Sequence, residues 1–199
     1  KHISTTPIQD MTKDLLIRDM VGRTLDNLYP KLEGKPGEVA LEIEGFSKEG
    51  QYSDISFKAR RGEVLGFSGL VGAGRTELMQ GIFAACLPDA GEIKVKGEKV
   101  KLKNPKEAIA HGIALLTEDR KTQGLVLMET IKKNLALVNI DKCKKGLFVD
   151  DRVINKQADY CVEKLSIRTP STEKIVGELS GGNQQKVVIG KWMNADCDI

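Results

Sequence analysis

The sequence predicts an α/β fold carrying an antiparallel β appendage, and three observations lead there. A continuous apolar run at residues 64–67 leads into a glycine-rich loop and then a helical pattern over 75–83, the order strand, turn, helix. A second apolar run at 113–117 follows a short helical pattern at 105–111, repeating that alternation. Short alternating segments at 40–43 and 55–59, and a pair at 92–95 and 100–102 around Gly97, read as antiparallel strands.

The runs at 64–67 and 113–117 are too short for helices and mostly apolar, so they are expected to be buried strands, 64–67 on both faces. Residues 151–167 set Val153, Ile154, Ala158, Cys161, Val162 and Leu165 on one stripe, which predicts an amphipathic helix; a further helix is expected over 183–193, after a glycine pair. Residues 1–36 look like a run-in. Their helical spacing over 14–27 (Leu15, Ile17, Met20, Val21, Leu25) is punctuated by Pro30, Gly34 and Pro36, the pattern of a tail plus a linker. The domain proper is therefore 37–199, with a helical portion at about 125–182.

Composition narrows the classes. With 199 residues the chain holds one core, and 40% apolar against 30% charged residues is the balance of a soluble globular protein. No run approaches the roughly 20 apolar residues that cross a bilayer, and no secretory signal opens the chain, so a cytoplasmic location is expected. Cys86, Cys143, Cys161 and Cys197 are scattered without a CxxC pair, and read as reduced packing thiols. A net charge of +3, spread among both signs, is too small for a nucleic-acid surface, and the densest basic group (Lys142, Lys144, Lys145) reads as a solvated loop.

Gly69-Leu70-Val71-Gly72-Ala73-Gly74-Arg75-Thr76 has the spacing of a phosphate-binding loop, G-x-x-x-x-G-K-[ST], with Arg75 where Lys is expected. Glycines let successive N–H groups turn inward on phosphate oxygens while the following helix directs its positive end at them. Thr76 would offer its hydroxyl to Mg²⁺. Read alone, the stretch also fits a ligand-free turn. A planar guanidinium at Arg75 is no simple substitute for an ammonium, and Glu77 in the first helical turn repels phosphate, so weak binding is expected.

Leu179-Ser180-Gly181-Gly182-Asn183-Gln184-Gln185-Lys186 is the more specific stretch. It resembles the LSGGQ signature of ATP-binding-cassette (ABC) proteins, in the LSGGNQQK form of bacterial monosaccharide-importer ATPases. Ser180, Gly181 and Gly182 start a helix whose capped, positive end would hold a γ-phosphate, with Gln184 beside it. Glu118-Asp119-Arg120-Lys121, followed by Gly124-Leu125, is similar to the segment where these importers replace the Q-loop glutamine by Glu. The resemblance makes Glu118 a metal-side and catalytic-loop position.

The resemblance covers nearly the whole chain. Met20-Val21-Gly22-Arg23 is similar to the end of a first cassette, making this a second one. It implies a P-loop NTPase core with an antiparallel β subdomain and a helical subdomain carrying the signature. It further implies ATP and Mg²⁺, an upstream cassette, membrane permease subunits, a periplasmic sugar-binding protein, and a place on the inner face of the cell membrane. Signatures act in trans, so Ser180 would complete the upstream site while 69–76 forms a weaker one. Tyr52 is the candidate for stacking on adenine and Phe46 the alternate; core packing also accounts for both.

The family continues past Ile199 into a strand ending Asp-Glu and then a switch histidine. Without these no hydrolysis is expected of this segment alone, and sheet edges are expected to lie unpaired. Neither His2 nor His111 matches the switch, and His111 suits a helix C-terminus. Two rivals are a repair or translation cassette, which should carry large basic or coiled-coil insertions, and a nucleotide-independent docking module.

Overall fold

The computed structural model describes residues 2–21 and 35–199, in two units, Lys1–Lys35 and Pro36–Ile199. In the first unit a 3-10 turn, Ile8–Asp10, precedes helix α1, Lys13–Val21, which Thr12 caps by accepting from the Leu15 amide at 3.2 Å. The expected continuation of this helix to 27, the Gly22-Arg23 end of the cassette-like stretch, and Pro30 and Gly34 lie outside the described residues.

In the second unit the antiparallel expectation is met. Strands β1 (Val39–Lys48), β2 (Tyr52–Arg60), β3 (Ala90–Val95) and β4 (Glu98–Val100) form one sheet in the order β2-β1-β3-β4. Leu41, Ile43 and Phe46 of β1 join Ile93 and Val95 of β3 on the buried face. The inward set shifts phase between Ile43 and Phe46, where the pairing with β2 is irregular and Gly45 adopts φ +63°.

The parallel strands expected from the sequence do not form. Residues 64–67 make no strand, and Val64 is 76% exposed, because no neighbouring backbone pairs with them among the described residues. An apolar run has no strand conformation of its own without a ladder. Residues 113–117 are likewise outside any strand, yet Ile113 is 2% exposed, and its neighbours begin a parallel pairing with the chain's last residues. Ile199 N donates to Gly112 O at 3.0 Å and Ala114 N to Ile199 O at 2.8 Å.

Helix α2 (Arg75–Ile82) buries Leu78 and Ile82 beneath the sheet, and α3 (Pro105–Ala110) follows β4 with Asn104 as its cap. A single π-turn, Arg120–Gly124, leads to α4 (Ile131–Ala136), then a small hairpin β5 (Lys144–Lys145) and β6 (Phe148–Val149), α5 (Asp151–Lys164) and α6 (Gly181–Met193). The expected stripe on α5 is real: Ile154, Ala158 and Cys161 are buried. That helix ends at Lys164 rather than 167, because Ser166 turns to φ +51°. α6 starts at Gly181 rather than 183, taking both glycines into its first turn.

α6 seats itself on α4 and α5 through a glycine. A Cβ at Gly190 would stand 2.7 Å from Leu135 Cδ2 and 3.3 Å from Cys161 Cβ, and Leu135 is only 1% exposed. Gly190→Ala is expected to cost about 1–3 kcal/mol by overpacking, and Leu135→Ala about 2–5 kcal/mol by leaving a cavity. The double variant should lose less than the sum, since the cavity receives the new methyl; urea unfolding of the four proteins measures this.

Candidate functional site

Among the described residues, four of the six α-helices and the Arg120–Gly124 turn begin under a side-chain cap. Thr12 caps α1, Asn104 caps α3, Thr130 caps α4, Asp150 caps α5, and Asp119 caps the Arg120–Gly124 turn. α2 and α6 begin with no side-chain cap at all. Their first amides therefore keep unspent donors at the positive end of a helix, the arrangement that receives an anion. These are the helices that the two sequence motifs open.

At the glycine loop, Gly72 and Gly74 have φ +83° and +77°, which glycine takes without strain. Ala73 N donates to Leu70 O at 3.1 Å, closing the turn, and Leu78 N donates to Gly74 O at 2.9 Å, starting α2. Gly74 also has no room for a side chain: a Cβ there would collide with the Gln51 carbonyl oxygen of the β1–β2 turn. Leu70, Val71, Gly72, Ala73, Arg75 and Thr76 are exposed, so the loop opens to solvent. Arg75 folds back along the loop; a Cβ on Gly69 would lie 3.7 Å from its Cδ.

Tyr52 is not a stacking platform. It is 9% exposed, packs against Gly74 and Gly81 under α2, and its hydroxyl has no hydrogen-bond partner among the described residues. Burial accordingly pushes the Tyr52 hydroxyl above its usual pKa. Phe46, the alternate, is 2% exposed. Both rings are spent on the core, which corrects the expectation of an adenine-facing ring.

At the signature, Ser180 occupies the N-cap position with φ −60° and ψ 153°, but its hydroxyl does not cap the helix. The expectation of a capped end is corrected. Instead Arg168 N donates to Asn183 Oδ1 at 3.0 Å, and Asn183 Nδ2 donates to Ser180 Oγ at 3.0 Å. With its oxygen already accepting, the Ser180 hydroxyl has its proton left for an acceptor outside the chain. Gly182 is exposed, and a Cβ on it would meet nothing within 4 Å. Helical glycine costs about 1 kcal/mol against alanine, and nothing inside the chain requires it there.

Gln184 is not a ligand-facing group. It is 5% exposed, and its amide donates to Val176 O and Gly177 O, each at 3.3 Å. That corrects its placement among the binding residues, because both ends of its amide are engaged within the chain. Its oxygen accepts from Arg120 Nε at 3.2 Å. Glu118 is exposed just ahead of the Arg120–Gly124 turn. Sequence reasoning missed Asn183 and Arg120 as working parts of this region; each sat inside a quoted motif, but their roles depend on contacts across distant segments.

A cavity of about 820 Å³ lies elsewhere, lined in part by Lys96, Lys106, His111 and Lys142. Its lysines are paired, Lys96 with Asp198, Lys106 with Asp141 and Lys142 with Asp196, so they offer little to an added anion. Among the described residues no group of three or more His, Cys, Asp or Glu is arranged to hold a metal on its own, and no helix is long and apolar enough to cross a membrane.

Asp119 links this geometry to pH. Hydrogen bonds from the Thr122 side chain and the Lys121 and Thr122 amides hold its carboxyl below the usual range. A carboxyl lowered by folding stabilises above its unfolded pKa and loses that effect as pH falls through the folded value. The protection factors of the Arg120–Gly124 amides, exchange rates taken relative to the intrinsic rate at each pH, should therefore stay constant from pH 8 down to 5 and fall only in stronger acid. Asp119→Ala should expose them at pH 7, as read by amide hydrogen exchange.

The family described as ABC transporter matches residues 52–199. A putative ribose/galactose/methyl galactoside import ATP-binding protein of Geobacillus kaustophilus is 43% identical over 199 residues. The match takes in 100% of this chain and 40% of that relative, so the chain spans well under half of the relative's length. A nucleotide-free ATP-binding cassette superposes with a TM-score of 0.67 at 21% identity, over 80% of this chain and 66% of that one. A dimeric cassette in a post-hydrolysis state, bound to ADP and Pi, gives 0.61 at 19% identity, over 79% of this chain and 70% of that one. These structures share the fold, and the matched family together with the two open helix starts makes this chain a member of the ABC transporter family.

Proposed function

We propose that the chain is the ATP-binding module of a bacterial monosaccharide importer, acting as the second cassette of a pair. The observation that carries this reading is that, among the described α-helices, the two opened by the motifs are the two without a side-chain cap. Gly72, Ala73 and Gly74, with Arg75 and Thr76, form its own phosphate loop, with Gly69 at the start of the turn. Ser180, Gly181 and Gly182 reach in trans to the γ-phosphate on the upstream cassette. The name of the Geobacillus relative supports the sugar class, and the dimeric cassette with ADP and Pi supports the pairing.

Thr76 and Glu118 are the oxygen donors for Mg²⁺ in this reading; both are exposed beside their motifs and suit a hard cation. The ion, when bound, neutralises charge on the phosphates. The chain's own contribution is positional: amides at the start of α2 and α6 hold phosphate oxygens with little reorganisation. The loop on this chain is the weaker of the two sites, since Arg75 lies along the turn and Glu77 adds negative charge in its first helical turn. The hydrolysing site is then the upstream one, completed by Ser180. Residues 1–36 are the tail of that cassette and a linker. The assembly sits on the cytoplasmic face of the membrane against permease subunits, with a periplasmic binding protein delivering the sugar.

Equilibrium binding of labelled ATP with Mg²⁺, with and without the upstream cassette, tests the reading. Weak binding by the chain alone that Thr76→Ala lowers at least tenfold, and much tighter binding with the partner, are expected; ATP-independent association would instead favour a docking module. Gly182→Ala supplies a second check. Folding stability should hold or rise by up to about 1 kcal/mol, while turnover of the paired cassettes falls at least tenfold, because the added methyl meets only what approaches from outside.

A further inference from the structure

The Arg120–Gly124 turn lies along a single stripe of α6. At one end Arg120 Nε donates to Gln184 Oε1 at 3.2 Å, and its guanidinium occupies the space beside Gly181, where a Cβ would stand 2.7 Å from Nη2. At the other end Gly124 packs on Val188, a Cβ there standing 3.2 Å from Val188 Cγ2, and its carbonyl accepts from Lys191 Nζ at 2.7 Å. Residues 181, 184, 188 and 191 follow the helical repeat of one face. The lower tie is shielded from solvent, since Lys191 is only 7% exposed. Asp119 caps the turn, and Gln184 is tied to Val176 O and Gly177 O just before the signature.

We infer that Arg120 is a positioning residue of the signature. It aims the Gly181–Asn183 amides through Gln184, and it makes their alignment depend on the conformation of the 120–124 turn. This rests on the reading of α6 as a phosphate-gripping helix. The residue type matters: a guanidinium can donate from Nε to Gln184 while its Nη2 fills the space beside Gly181, and a lysine ammonium, with a single nitrogen, cannot do both. When the turn shifts, Gln184 loses its donor and the first turn of α6 loses its brace, while Val188 and Lys191 hold the rest of the helix.

The test uses the assembled transporter ATPase containing this chain, with kcat and KM for ATP and amide exchange along α6 as readouts. Arg120→Ala should lower kcat at least tenfold with KM within about threefold. Exchange at Gly181–Gln184 should quicken at least tenfold while Val187 and Val188 stay protected. Arg120→Lys should fail to restore kcat, and adding Arg120→Ala to Gly181→Ala should do no further harm, because the alanine methyl already displaces the guanidinium. The inference is overturned if Arg120→Ala turns over like the wild type, if Arg120→Lys is fully active, or if exchange rises along the whole of α6. Gly182→Ala separates the two levels. Full activity of that variant removes the phosphate reading of α6, whereas an inactive Gly182→Ala beside a fully active Arg120→Ala removes only the role of Arg120.

Discussion

An α-helix that starts without a side-chain cap leaves amide donors unmatched, and among the described α-helices two keep such starts, α2 and α6. Caps were available elsewhere: threonine, asparagine and aspartate serve α1, α3, α4 and α5. At α2 the N-cap residue is Gly74, which has no side chain to offer. At α6 it is Ser180, whose oxygen accepts from Asn183 Nδ2 and makes no bond to the helix's own first amides. Both helix starts retain an electrostatic demand that an anion satisfies, and the functional reading follows from that demand.

Open ends need firm backing, and the fold supplies it unequally. The signature is approached through backbone pairing of Val176 N with Glu129 O at 3.0 Å and Gly177 N with Leu127 O at 3.0 Å. Asn134, 1% exposed, fastens the preceding loop by accepting from Val126 N and donating to Val126 O and Thr130 O. The glycine loop is held from below by Gly74 against the β1–β2 turn, but residues 64–67 ahead of it have no strand neighbour among the described residues. The better-braced of the two open helix starts is therefore the signature.

Much of this was legible in the sequence because local rules govern it. Alternation in β1 and β3, the stripe on α5, and both glycine motifs announce themselves within a few residues. What failed were features set by partners remote in the chain. The apolar run at 64–67 has the composition of a buried strand, but a strand exists only through its ladder. Tyr52 has the chemistry of a stacking ring, yet Gly74 and Gly81 leave the hollow that it fills. Gln184 lies within the signature, but the carbonyls of Val176 and Gly177 turn it inward. Asn183 and Arg120 gained their roles from Arg168 and Gln184, contacts that spacing alone does not encode.

The central claim, that phosphate is received on the open amides of α2 and α6, is tested most directly by titrating MgATP into ¹⁵N-labelled chain and following each amide. The account predicts the largest shifts at Gly72, Gly74, Arg75 and Thr76, joined by Gly181, Gly182 and Asn183 once a partner cassette is present. Shifts gathered instead around Lys96, His111 and Lys142 at the 820 Å³ cavity, with the glycine amides unmoved, would contradict it.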